Sequence, residues 1–244
     1  MADTVLLTGA TGFLGTELAA RLVRDPGLRL YALVRAAEGD IVVFNNSDAV
    51  PLGTDWLKEL TAPLLEAPGE ARAAFANQLP RADALASVRR DHACAFGDGK
   101  EQAKWRFFFS LASSAMWKRL LVEAPFNEGM RISEDVEWAW RLSRREVEPL
   151  RVVYCPGARV EHSHNYTLRQ LARRFRLEGA DAREMFGDRP TLARELAGAG
   201  AATLRDWAWM ARRPGSWGEI PGAPVRRLVQ HVSHWRGTRE GGGT

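Results

Sequence analysis

Hydrophobic and polar residues alternate along the chain in two kinds of segment, short apolar runs and longer stretches with helical spacing. The sequence predicts buried strands where residues are mostly apolar in a row, at 4–7, 28–34, 41–44 and 151–154. It predicts helices where apolar residues recur every three or four positions, at 16–23, 56–65, 167–178, 190–210 and 225–235. The pattern therefore predicts an α/β fold in which helices dominate the C-terminal part.

Three glycines lie between the first predicted strand and the first predicted helix. Gly9, Gly12 and Gly15 stand where a tight turn brings a pyrophosphate to a helix N-terminus. The run TGATGFLG resembles the NAD(P)-binding start of extended short-chain dehydrogenases and epimerases. Arg35, just after the second strand, stands where that family often holds the 2′-phosphate of NADP.

That family also uses a Tyr-x-x-x-Lys pair for proton transfer, and the chain has no such pair. Tyr31, Tyr154 and Tyr166 are followed four positions later by Arg35, Ala158 and Gln170. An NAD(P)-binding epimerase or reductase is therefore the alternative reading, and NAD(P) is not expected to be a functional cofactor.

Polar oxygen ligands follow the strand predicted at 41–44. Asn46 and Asp48 offer amide and carboxylate oxygens, which suit a hard divalent cation such as Mg²⁺ or Mn²⁺. Asn, Ser and Asp also dominate turns, so a simple turn before Pro51 explains the same residues.

A second acidic group begins another helical stretch. It contains two neighbouring carboxylates, Glu134 and Asp135. The same acids also fit a helix start capped by Ser133, where they meet the positive end of the helix dipole. Glu137 and Arg141 have the i,i+4 spacing of an ion pair.

These motifs together resemble the inverting glycosyltransferases of family 2, which have a GT-A fold. Asn46-Ser47-Asp48 stands for their strand-end Asp-x-Asp motif, Pro125-Phe126-Asn127-Glu128 for their PFDE segment, and Glu134-Asp135 for their acidic ED motif. The implied fold is α/β, a GT-A-like and Rossmann-related mixed sheet that is incomplete and carries C-terminal helices. The implied reaction moves a sugar from a nucleotide-diphosphate sugar to a glycan or lipid-linked acceptor, with inversion.

The resemblance also implies a role for each site residue. Asp48 and Asn46 would hold Mg²⁺ or Mn²⁺, and His162 or His164 would complete the metal shell. A structural histidine is the other explanation for each of these two.

Asp135, with Glu134 as the second catalytic carboxylate, would deprotonate the attacking hydroxyl of the acceptor. The expected contacts to the acceptor come from Trp138, Glu137 and Arg141. Trp138 and Trp140 fall on different helix faces, so one could stack on a sugar ring while the other packs inside.

The two family resemblances divide the chain into three parts. We predict a Rossmann-like βαβ segment at 1–37, the C-terminal part of a glycosyltransferase core at 38–180 and a helical extension at 181–244. The donor-binding start of the family is expected to be missing, so an inactive fusion is a third reading. The linker between the strands predicted at 28–34 and 41–44 is too short for a parallel crossover, which needs a dozen or more residues.

Charge is unevenly distributed along the chain. The net charge of the 244 residues is +4, whereas residues 166–244 contain 14 arginines, no lysine and 8 acids, a net charge of +6. Arginines beside the tryptophans of this region suit peripheral contact with a membrane, and ordinary helix packing is the alternative. The pattern does not favour nucleic acid. Two cysteines and no apparent signal segment predict a cytoplasmic protein, with peripheral contact at the inner face of the plasma membrane.

Overall fold

A computed structural model describes residues 4–8, 39–97 and 108–240, and of residues 4–8 only the backbone. The helix predicted at 16–23 and the strand predicted at 28–34 lie outside these residues. So do the N-terminal candidate site residues, which are Gly9, Gly12, Gly15 and Arg35. The described residues divide into two compact units. The sheet unit contains Met1–Arg81, Cys94–Asn127 and Asp135–Ser163, and the helical unit contains Ala82–Ala93, Glu128–Glu134 and His164–Thr244.

This division follows compactness, not ancestry, so the domain boundaries at 37/38 and 180/181 stay predictions.

In chain order the strands are β1 (Thr4–Thr8), β2 (Ile41–Asn45), β3 (Val50–Pro51), β4 (Arg72–Leu79), β5 (Ser113–Trp117) and β6 (Arg151–Glu161). The α-helices are α1 (Trp56–Leu65), α2 (Ala86–Ala95), α3 (Lys118–Glu123), α4 (Glu134–Ser143), α5 (Leu168–Phe186), α6 (Leu192–Ala211) and α7 (Ala223–Glu240). A 3₁₀ helix, Pro214–Gly222, joins α6 to α7.

The strands form one mixed sheet in the order β1-β2-β5-β4-β6-β3. The pairs β1–β2 and β4–β6 are parallel, and β5 runs antiparallel between β2 and β4. This confirms the predicted α/β mixed sheet. The strand predicted at 151–154 extends to Glu161, because a register shift between Ala76 and Asn77 leaves out Pro156–Ala158 and the pairing then resumes at Arg159.

The core of the sheet unit lies on the continuous apolar runs. All of Ile41–Val43 and Ala73–Ala76 is fully buried, as expected for strands covered on both faces. Helix α1 packs on β4 and β6 through Leu60 and Leu64, which confirms the helix predicted at 56–65. An aromatic cluster around Phe75, with Phe109 and Trp138 nearby, fills the rest of the core.

The helical unit is built on long helices whose starts are signalled locally. Thr167 forms a capping box with Gln170 at the start of α5, and Thr191 caps α6 by accepting a hydrogen bond from the Arg194 amide. In this unit the helices predicted at 167–178, 190–210 and 225–235 are confirmed, although α5 and α7 run further than expected. No helix in the described part of the chain is long and apolar enough to cross a membrane.

Two features hold the helical unit together. At one crossing α5 and α7 approach so closely that a Cβ on Gly179 or Gly237 would collide with the backbone of the other helix. Elsewhere the buried guanidinium of Arg227 bridges two carboxylates, 2.6 Å from Asp206 and 2.8 Å from Asp91. Burial on its own lowers the pKa of Arg227, but its hydrogen bonds to these carboxylates raise it overall.

Candidate functional site

Asp48 lies in the turn that follows β2, close to a histidine that follows β6. Its Oδ1 is 3.5 Å from Nε2 of His162. The turn is closed by the Ala49 amide, which donates to the Asn46 carbonyl at 2.9 Å. The turn explanation and the ligand explanation of these residues are therefore compatible, because the turn presents the half-buried Asp48 toward His162.

His162 is buried, and its ring is oriented by hydrogen bonding. Nδ1 lies 2.9 Å from Oε1 of Gln78, whose amide nitrogen donates to Ser110 Oγ at 2.8 Å. With Gln78 in this orientation the proton of a neutral imidazole sits on Nδ1, so the Nε2 lone pair points toward the Asp48 carboxylate. At 3.5 Å these two atoms are close enough for a proton or a cation to bridge them.

Asp135 lies in the first turn of α4 and is connected by hydrogen bonds to the turn that contains Asn46 and Asp48. Its Oδ2 accepts a hydrogen bond from the Leu111 amide at 3.2 Å, and its Oδ1 accepts from the Val136 amide at 2.8 Å. The carbonyl of the next residue, Ala112, accepts from the Asn46 amide at 2.8 Å. Consecutive residues 111 and 112 therefore link the candidate base to the turn that carries the candidate metal ligands.

Asp181, which sequence reasoning missed, holds the segment just before α4. Its fully buried carboxylate accepts hydrogen bonds from the amides of Arg131, Ile132 and Ser133 at 3.0–3.2 Å. It also forms an ion pair with the Arg131 guanidinium at 3.0 Å. The alternative in which Ser133 caps this helix stays a prediction, because Asp181 binds the amides just before the helix and not those of its first turn. No local signal marks Asp181, because its partners lie about fifty residues earlier.

The expected acceptor contacts need a correction. Trp138 is completely buried, donates its indole N–H to the Ala124 carbonyl at 2.7 Å and packs on Phe109 and Phe126. A side chain without exposed surface cannot stack on a sugar ring, so Trp138 is a core residue. Trp140, on another face of α4, is half-buried and has the Arg144 guanidinium 5.3 Å from its ring centre.

Glu137 and Arg141 form the ion pair that their spacing predicts. Arg141 Nε lies 2.7 Å from Glu137 Oε1, and Arg141 also donates to the Pro125 carbonyl at 2.9 Å. This pair fixes the segment after Pro125 to α4, which is a structural role for both residues. Their predicted contact with an acceptor stays a prediction.

The other predicted residues are less constrained. Glu134 is the first residue of α4 and is half-buried. His164 is exposed, begins the helical unit and stacks its ring on Tyr166 with 5.2 Å between ring centres. Asn46 is half-buried; its carbonyl accepts the hydrogen bond that closes the turn, and its amide donates to the Ala112 carbonyl.

Comparison with known proteins separates the start of the chain from the rest. Residues 7–43 match an NAD-binding family model described as male sterility protein. The chain is 30% identical over 191 residues to the O-antigen chain rhamnosyltransferase WbaN of Salmonella anatum. It is 27% identical over 195 residues to the O-antigen chain rhamnosyltransferase RfbN of Salmonella typhimurium strain LT2.

Each of these two matches covers 73% of this chain and 57% of the curated relative. The chain therefore spans little more than half the length of the relatives it matches. A structure of glucosyl-3-phosphoglycerate synthase from Mycobacterium tuberculosis with Mn²⁺, UDP and phosphoglyceric acid aligns with a TM-score of 0.45, at 19% identity over 75% of this chain and 67% of that one. Most of the chain is thus similar to O-antigen rhamnosyltransferases, and its start matches an NAD-binding family, which confirms the composite resemblance that the motifs indicate.

Proposed function

We propose that this chain contains the metal-binding and acceptor-side part of an inverting glycosyltransferase. The reaction moves a sugar, with a deoxyhexose of the rhamnose type as first candidate, from a nucleoside-diphosphate sugar to a glycan or lipid-linked acceptor. The observation that carries the proposal is the link between Asp135 and the Asn46–Asp48 turn through residues 111 and 112. Similarity of most of the chain to rhamnosyltransferases supports it.

The residues after β2 and β6 fit a divalent cation. A carboxylate oxygen and an imidazole nitrogen converge at 3.5 Å, and the other ring nitrogen, Nδ1, lies 2.9 Å from the Gln78 amide oxygen. Metal-bound histidines usually donate their second ring N–H to a partner of this kind. A mixed oxygen and nitrogen set suits Mn²⁺ better than Mg²⁺, which prefers oxygen alone. Asp48 and His162 would hold the cation, with Asn46 as a further ligand; His164, the first residue of the helical unit, stays a prediction from the sequence. A cation there would offset the charge that develops on a diphosphate leaving group.

Asp135 acts in this proposal as the general base. Its carboxylate accepts the proton of the acceptor hydroxyl as that oxygen attacks the anomeric carbon from the side opposite the leaving group. A single displacement of this kind inverts the anomeric centre. The two amide donors from Leu111 and Val136 fix both oxygens of the carboxylate, so the base is held in one orientation. Within the helical unit, Asp181 acts as a positioning residue for the segment 131–133.

The acceptor side rests on α4. With Trp138 buried in the core, Trp140 is the aromatic residue of this helix that we assign to stacking on an acceptor sugar. Glu134, at the start of the same helix, is assigned to a hydrogen bond with the acceptor.

Two variants test the proposal. Asp48→Ala should abolish the rise in melting temperature that Mn²⁺ with a nucleoside diphosphate produces. Asp135→Asn should keep that rise and reduce sugar transfer from a nucleoside-diphosphate rhamnose by about 10²-fold or more, since general-base catalysis typically contributes 10²–10⁴-fold. Asp55→Asn is the matched control, because Asp55 is exposed and its side chain makes no capping bond.

Other outcomes would contradict the proposal. A melting-temperature rise with NADPH and none with any sugar nucleotide would favour the epimerase or reductase alternative. Equal loss of transfer in the Asp55 control and in the Asp135 variant would remove Asp135 as the base. If neither ligand class raises the melting temperature, the chain is the inactive fusion.

A further inference from the structure

Helix α6 exposes a continuous apolar stripe on the surface of the helical unit. Leu192, Leu196, Leu204 and Trp207 are each at least 39% exposed, and Leu204 reaches 62%. Their spacings of four, eight and three residues place them on one side of an α-helix. Exposed small residues lie beside them, at Ala193, Ala197, Gly200, Ala201, Ala208 and Ala211. A stripe of this length on a surface helix marks an interaction site.

The exposed charges of α6 have one sign only. Arg194 and Arg205 are exposed, and they stand three helical turns apart on the same flank. The two acids of the helix point inward. Glu195 lies 2.6 Å from His231, and Asp206 is fully buried against Arg227. The surface that α6 offers is therefore apolar and cationic, with no exposed carboxylate.

Trp207, near the end of α6, and Trp217, in the 3₁₀ helix that follows, expose the apolar parts of their rings to solvent. The indole N–H of Trp207 donates to the Ile220 carbonyl at 2.9 Å, and that of Trp217 to the Ala211 carbonyl at 3.4 Å. Because these N–H groups are already bonded, the exposed parts of both rings are apolar. Arg212 and Arg213, next to them in the chain, are also exposed.

We infer that the exposed face of α6 binds the surface of an anionic lipid bilayer, with the helix lying in the interface. Leucine and tryptophan side chains enter the boundary between headgroups and acyl chains, while arginines at the flank reach the phosphates. Charge decides against a second copy of the chain, because a symmetric contact would bring arginines together without a carboxylate to pair with them. This inference does not depend on sugar transfer.

The test measures binding of the full chain to vesicles without any nucleotide sugar. Sedimentation with vesicles of phosphatidylcholine, alone or with about one third phosphatidylglycerol, should show binding to the anionic vesicles, weaker at high salt. Leu204→Gln should lower the partition coefficient roughly tenfold, since one fewer leucine enters the interface. Leu65→Gln is the matched control, because Leu65 is similarly exposed, at 51%, on α1 of the sheet unit.

A second pair of variants separates a specific surface from general basicity. Arg194→Gln with Arg205→Gln should lower binding to anionic vesicles roughly tenfold or more, since each arginine near such a surface contributes about a factor of five. Arg169→Gln with Arg173→Gln, two exposed arginines of α5, should leave binding nearly unchanged. Absence of vesicle binding, or equal losses in test and control variants, would overturn the inference. So would a dimer in analytical ultracentrifugation that Leu204→Gln dissociates, because the occupant would then be a second copy.

Discussion

Gly237→Ala should destabilise the helical unit, although alanine is normally the better helix former. A Cβ at this position would lie closer than 3.0 Å to three backbone atoms of α5, the carbonyl oxygen and carbon of Arg176 and the amide nitrogen of Ala180. Backbone atoms within a helix cannot rotate away as a side chain can. The two helices must therefore move apart along a crossing that Gly179 makes equally close from the other side.

The expected size follows from two opposing contributions. Overpacking a tight contact costs about 3 kcal/mol at the upper end of its usual range. Replacing glycine by alanine inside a helix stabilises the folded state by about 1 kcal/mol through helix propensity. We therefore expect a net loss of about 2 kcal/mol in the free energy of unfolding, measured by urea denaturation followed by circular dichroism.

Gly200→Ala is the matched control on α6, because a Cβ there meets nothing within 4 Å. It should raise the free energy of unfolding by up to about 1 kcal/mol. The two substitutions have the same chemistry, so a difference of sign isolates the helix crossing. If Gly237→Ala is neutral or stabilising, the close approach of α5 and α7 is wrong.

Two further predictions concern buried polar groups. Asp206→Ala should lower the free energy of unfolding by about 3–5 kcal/mol, because it removes one of the two carboxylates that neutralise the buried Arg227. Adding Arg227→Met should recover part of the loss in urea denaturation. Equal losses in single and double variants would contradict this. Cys155 should resist alkylation at pH 8 in the native protein while Cys94 reacts, because burial raises the pKa of Cys155 from 9.0 to about 12. The folded state favours the neutral thiol of Cys155. Burial of this thiol therefore contributes fully to the free energy of unfolding below pH 9, and that contribution is lost as the pH rises toward 12. Two equally reactive thiols in native protein would show that Cys155 is not buried.

Local signals in the sequence are sufficient for helices α1, α5, α6 and α7 and for the turn after β2, but they do not predict α2, α3, β4 or β5. The capping box at Thr167 and the apolar spacing of α1 depend on neighbours within one or two turns, so they can be recognised in the chain itself. The same holds for the ion pair of Glu137 and Arg141. Each of these rests on interactions between residues close in sequence.

The sequence-based predictions of site residues fail where a role depends on contacts between residues that are far apart in the chain. Trp138 looked like an acceptor residue because its helical position gives no hint of Ala124, which takes its indole proton, or of the phenylalanines around it. Asp181 was missed for the same reason, since its partners are amides that any residue carries. Periodicity identifies which residues lie on one face of a helix, but only the packed structure shows what that face meets.

The N-terminal segment has a structural consequence that does not depend on NAD(P) binding. Strand β1 pairs in parallel with β2 over five residues, from Thr4 opposite Ile41 to Thr8 opposite Asn45. Without that pairing, β2 would expose a row of backbone groups at the edge of the sheet. Because Asp48 follows β2 directly, an unsupported β2 would also leave the candidate metal ligands on a mobile edge. The dehydrogenase-like start of the chain therefore stabilises the strand on which the proposed sugar-transfer site depends.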